Sequence, residues 1–280
     1  MTLNEMKTCA AETLSYFIQT MPDVPFTEDD IVIEFAPKAK MTKRAKSLCA
    51  QYVPDKPFNE TKEYQLANTI AANAIIGRDK SAVIVRVNYK NTKQNWREIL
   101  FHEYMHIFCA KLEIDGEHFI DIYGSGHTLG EFENGTSEKM YDGFLNAGYV
   151  VWSEFIAQYY ALLKTSDKPY TFSDIMDYAF GLLGEVHIAY DEHTAKTSFA
   201  MACAYLLTCD NGNILSDLVE IEDTDSNEKQ AEIALRNCLA YLHAHLQTEK
   251  PWKINENFIS ELGNKFLMFK TMNSLHNGRR

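Results

Sequence analysis

The segment His102-Glu103-Tyr104-Met105-His106 places two imidazoles four residues apart, with a carboxylate directly after the first. On a helix, residues i and i+4 share one face a turn apart, so both rings can reach a single cation. Zinc suits such a pair. It takes neutral imidazoles, a third protein ligand and an open fourth position for water, whose pKa falls toward ~7 on the ion. A carboxylate at the second motif position can then accept the water's proton as general base and hand it on to a leaving amine. That chemistry gives His102 and His106 the metal and Glu103 the proton.

Nine histidines and 23 glutamates in 280 residues produce this pattern by chance in about 2% of chains of the same composition, so its surroundings decide. Ile99, Leu100, Phe101, Ile107 and Phe108 flank the motif as a buried helix requires. Just upstream, the β-branched run 82–89 reads as a strand. Asn95 followed by Glu98 has the spacing of a capping box, which predicts a helix from there to about Glu113, with Gly116 just past its end.

The third ligand is not adjacent, because Cys109 and Leu112 stand where a HExxHxxGxxH continuation needs glycine and histidine. Downstream, the aromatic-rich segment 152–160 carries Glu154 early in an expected helix, with Gln158 one turn on. Glu154 after Ser153 also reads as an ordinary helix start. Glu131, Glu133, Glu138, Asp142, His118 and His127 are the other candidates. They lie in a stretch, 116–148, that holds seven of the 13 glycines and reads as an irregular, loop-rich excursion.

In His102, Glu103, His106, Glu154 and Ala157 the chain resembles the gluzincin zinc metallopeptidases, whose HExxH helix is followed by a second helix bearing a glutamate ligand. The resemblance covers roughly residues 80–162. It implies a Zn²⁺ ion on His102, His106 and Glu154, general-base catalysis by Glu103, and a peptide or protein substrate. Gln158 occupies the family position that often holds an aspartate bonded to a ligand histidine. Its amide oxygen can accept an imidazole N–H, without a charge to raise the ligand's basicity.

The elements that must position these residues are a mixed front and a helical back. Residues 4–20 and 60–76 read as helices, 31–35 and 82–89 as strands. The strand at 82–89 is either an edge open to an extended substrate or an ordinary internal strand, with nothing in its sequence to choose between them. After Val150, helical periodicity spans 152–164, 173–183, 186–208, 228–247 and 255–270. The expected fold class is α+β: a zincin-like core with a small sheet and the HExxH helix over 1–165, then a mostly helical part over 166–280. His187, Tyr190 and His193, expected on one helix, are candidates to stabilise an oxyanion.

The formal charge of −12 disfavours nucleic acid and anionic membrane as partners of the whole surface. It is unevenly spread: residues 1–112 hold 15 basic and 13 acidic side chains, residues 113–280 hold 12 and 26. The only dense basic cluster is Lys38, Lys40, Lys43, Arg44 and Lys46, and the acidic stretch 220–225 reads as an exposed loop. Six cysteines without CxxC spacing read as buried thiols in a reducing compartment. With no signal-peptide pattern and no apolar run of membrane-spanning length, the expected location is the cytoplasm. A non-catalytic regulatory or binding protein that keeps the metallopeptidase fold is the alternative to an enzyme.

Overall fold

The computed structural model describes residues 1–54, 58, 71–89, 93–112, 137–166, 171–188, 191–209 and 227–277. The described chain is mostly helical with one three-stranded sheet, an α+β arrangement. In order it runs α1 (Leu3–Thr20), β1 (Ile31–Pro37), α2 (Met41–Tyr52), β2 (Ala72–Ile75), β3 (Ser81–Val87), α3 (Lys93–Leu112), α4 (Ser137–Thr165), α5 (Phe172–Ile188), α6 (Glu192–Thr208), α7 (Asn227–Leu246) and α8 (Glu256–Asn277). It divides into two compact units. One comprises Met1–Leu112 with Lys164–Ser166; the other comprises Glu113–Leu163 with Asp167–Arg280.

The first unit is built on the sheet, in strand order β1-β3-β2, with β1 parallel and β2 antiparallel to β3. Alternation along β3 divides its side chains between two faces. Ala82 and Ile84 join Ile75, Ala36 and the α2 residues Met41, Ala45 and Leu48 in one apolar cluster. Val83 and Val85, fully buried, point to the other side, where α3 runs against β2 and β3. α1 packs along α3, and its start is fixed by a reciprocal capping box between Thr2 and Glu5. Asn88, in the left-handed region at φ 63°, turns the chain out of β3.

β3 is therefore the central strand, paired on both sides, which decides for the internal strand over the substrate-binding edge that the sequence left equally open. Its run of consecutive apolar residues, with no polar alternation before Arg86, is the signature of a strand covered on both faces. Residues 72–75, expected to be helical, form β2: pairing with β3 overrides the helix preference of its alanines. Residues 60–70 of that expected helix lie outside the described residues.

In the second unit α5 packs on α6 and α7 on α8. Phe199 of α6 meets Phe266 and Phe269 of α8 at 5.2 and 4.9 Å between ring centroids. Residues 137–148, expected to belong to a loop-rich excursion, are instead the first turns of α4. Residues 116–136 of that excursion, with Glu131, Glu133, His118 and His127, lie outside the described residues, as does the acidic stretch 220–225. All six cysteines are free thiols, five of them buried. Among the described residues no helix is long and apolar enough to cross a membrane.

Candidate metal centre

α3 is apolar on nearly every side, as a helix buried among other elements must be. Leu100, Phe101, Tyr104, Met105, Ile107 and Phe108 are all buried, whereas His102 and His106 are half-buried. Phe17 of α1 sits against this helix, its ring centroid 4.7 Å from Phe101 and 5.8 Å from Phe108. The Tyr104 hydroxyl donates to Ala10 O at 3.1 Å. Burial, with smaller contributions from Cys9 and Glu103, pushes its phenol well above the usual range, so it stays a neutral donor. At the far end of the helix Lys111 Nζ donates to Arg78 O at 2.6 Å. The helix begins at Lys93, which places Asn95 inside its first turn and not at the cap expected from sequence.

The two motif histidines converge. Their Nε2 atoms are 3.0 Å apart, the ring centroids 4.6 Å apart and the planes at 80°. Two nitrogens on one tetrahedral zinc, each at ~2.05 Å, stand about 3.3 Å apart. The observed spacing is close to that, and it also permits one neutral ring to donate to the other. Glu154, half-buried on α4, completes the group: one ligand atom from each of His102, His106 and Glu154 lies within 4.8 Å of the other two. Among the described residues this is the only group of three such side chains. Two imidazoles and one carboxylate are the donor set of an open, tetrahedral divalent-cation site, so these residues can bind a metal ion.

Glu154 owes its place to a longer helix than its sequence suggested. It lies in the interior of α4, so the reading of Ser153 and Glu154 as a helix start does not apply. Gln158 follows one turn later and is buried, 3% exposed. Of the other third-ligand candidates, Glu138 and Asp142 fall on α4, with side chains outside the described set. His187 and His193 do not share a helix, since α5 ends at Ile188 and α6 starts at Glu192. Tyr190 between them lies outside the described residues.

Glu103 is 8% exposed, and its Oε2 accepts the backbone N–H of Ala74 at 2.6 Å. The sheet register explains that partner. Arg86 donates to Ala71 O at 2.8 Å, which makes 71/86, 73/84 and 75/82 the hydrogen-bonded pairs of β2 and β3. Ala72 and Ala74 therefore turn their N–H and C=O groups away from β3, and α3 supplies Ala74 with an acceptor. Sequence reasoning missed this link because residues 71–76, Ala-Ala-Asn-Ala-Ile-Ile, show no strand alternation. The one available signal was the β-branched pair Ile75-Ile76 before Gly77.

No family model matches the chain, and comparison with curated proteins and with solved structures returns no match.

Proposed function

We propose that this protein is a zinc-dependent metallopeptidase of gluzincin type, hydrolysing peptide bonds of a peptide or protein substrate on a zincin-like core. The convergence of His102, His106 and Glu154 around one small volume carries this reading, because Glu103 comes with them on the same turn of α3. Zn²⁺, once bound, supplies a Lewis acid that brings the pKa of water toward ~7. His102, His106 and Glu154 would hold the ion through their imidazole nitrogens and a carboxylate oxygen. Gln158 holds a ligand imidazole by accepting its second ring N–H through the amide oxygen. Ala74 N–H orients the Glu103 carboxylate through Oε2, and that carboxylate would take the proton of the water and pass it to the leaving amine. Six free thiols are in keeping with a reducing, cytoplasmic setting.

A second reading, a regulatory or binding protein that keeps the metal site without catalysis, draws on the burial of Glu103 and the engagement of its Oε2 in a backbone bond. The two separate on one measurement. Purified protein is loaded with zinc and offered a fluorogenic peptide library beside a Glu103→Gln variant carrying the same zinc. Cleavage by the wild type that the variant lacks supports the peptidase. Equal, negligible turnover by both, with zinc bound, would leave the non-catalytic reading standing.

A further inference from the structure

Small and apolar residues let α6 and α7 of the second unit approach each other. Around the middle of α6 the buried residues Ala200, Ala202, Cys203 and Ala204 leave little side chain between backbones. On α7 the buried Ala231, Ala234, Leu235, Cys238, Leu239 and Leu242 recur at three- and four-residue intervals, one stripe of the helix. The two helices are in contact, and Cys203 and Cys238 meet there. Both are 0% exposed, and their side chains share a hydrogen bond, sulfur to sulfur. Burial, and then the contact with Cys238, push the Cys203 thiol well above the usual range. In the folded protein Cys203 is thus neutral and closed to solvent, which makes it a poor nucleophile toward any disulfide. Direct contact between two sulfurs carried by different helices is nevertheless the approach that a covalent bridge requires.

We infer that Cys203 and Cys238 are a cross-linking site, joined as a disulfide between α6 and α7 when the chain folds in the presence of glutathione disulfide. A free cysteine in water has a pKa of about 8.5, so the unfolded chain carries reactive thiolate at neutral pH. One protein thiolate attacks glutathione disulfide, which releases a first glutathione and leaves a mixed disulfide on the chain. Packing of α6 on α7 brings up the second thiol, whose thiolate displaces the second glutathione and closes the bridge. Two electrons pass from the protein to the oxidant, and the two thiol protons leave on the two glutathiones. Burial then seals whichever form was made, the bridge against reductants and the thiol pair against oxidants. The pair therefore keeps a record of the redox conditions under which the chain folded. A bridge from 203 to 238 closes a loop of 35 positions, long enough to restrict the unfolded chain and so to stabilise the folded one. The inference does not depend on the metal site or on the peptidase reading.

The test uses the full chain. Denatured, reduced protein is refolded in a glutathione disulfide and glutathione mixture, and in parallel in glutathione alone. Remaining thiols are blocked with iodoacetamide and the bridges mapped by mass spectrometry of proteolytic peptides. A third sample, folded reduced, is given the same oxidising mixture afterwards. Refolding with the oxidant should yield the 203–238 peptide pair as the main cross-link, with the circular dichroism spectrum of the reduced protein and a melting temperature higher by about 5 °C or more. The protein already folded should stay reduced over the same period. Cys203→Ala and Cys238→Ala, refolded alike, should each lose the bridge and the gain in melting temperature. The site is overturned if no bridge forms or another pair of the six cysteines dominates. It is equally overturned if the bridged chain does not regain the spectrum or melts no higher than the reduced one. Bridging of the folded protein as fast as that of the refolding chain would refute the sealing by burial.

Discussion

Gly148 of α4 and Gly263 of α8 allow two helix backbones to touch. A Cβ built on Gly148 would lie 1.8 Å from Ile259 O, and one on Gly263 would lie 1.9 Å from Phe144 O. Both obstacles are backbone and cannot rotate aside. Glycine in a helix costs up to ~1 kcal/mol relative to alanine, so alanine would ordinarily stabilise either position. Here overpacking, typically ~1–3 kcal/mol and more where backbone must shift, outweighs that gain. Gly148→Ala and Gly263→Ala are each expected to lower the urea midpoint. An unchanged or higher midpoint would show that the helices separate without cost.

On the proposed function Glu103 has two separable jobs, and two substitutions tell them apart. Glutamine keeps an oxygen for the Ala74 N–H but cannot act as a base, so Glu103→Gln is expected to retain fold and zinc while losing about 10²–10⁴ in turnover. Alanine removes the acceptor as well and leaves a buried N–H unpaired, a penalty of ~1–3 kcal/mol. Thermal melts of the two variants check this: Glu103→Ala should melt well below Glu103→Gln.

On the proposed function zinc binding should be stoichiometric and should raise the melting temperature, because an ion that binds only the folded chain stabilises it by mass action. Chelation with EDTA reverses the rise. His102→Ala, His106→Ala and Glu154→Ala are expected to emerge from dialysis with little zinc. Gln158→Ala should retain the site with about 10–100-fold weaker affinity, as loss of a partner to a ligand imidazole does. Metal analysis after competition with a chromogenic chelator reads both effects, and full retention of zinc by Glu154→Ala would remove that residue from the ligand set.

His245 makes stability depend on pH. Its ring stacks on Phe258 with centroids 3.8 Å apart, and its Nε2 lies 2.9 Å from Pro251 O. Burial, only partly countered by backbone bonds at Pro251 and Lys253, holds its pKa below the ordinary 6.5. The unfolded chain thus takes up the proton at a higher pH than the folded one. The contribution of His245 is complete above 6.5 and declines as pH falls through the lowered folded value. Denaturant midpoints measured from pH 7.5 to 5 should fall less steeply in His245→Gln than in the wild type.

The two motif histidines and their helix were legible because their signal is local: an i, i+4 pair inside a continuous apolar run needs no distant information. β1 and β3 were legible for the same reason, as short β-branched runs bounded by turn residues. β2 was not, since Ala72–Ile75 becomes a strand only by pairing with β3, and the partner of Glu103 was hidden with it. The start of α4 was obscured by composition. Gly143 and Gly148 look like loop residues in one dimension, yet Gly148 is required where α4 meets α8. Charge arithmetic located the basic cluster, but not that Arg44 within it pairs with Glu34 of β1.

The Tyr16 hydroxyl donates to Lys164 O at 3.1 Å, and Lys164–Ser166 belong to the first compact unit although the rest of α4 belongs to the second. The polypeptide thus passes between the units at 112/113, again at 163/164 and a third time at 166/167. No single cut in the gene yields both units intact. A fragment ending at Leu112 loses the segment that Tyr16 holds, and one beginning at Glu113 carries that segment away from its own unit. Separate expression of residues 1–112 should therefore give a first unit without the segment that accepts from Tyr16, which makes the protein a poor candidate for modular dissection.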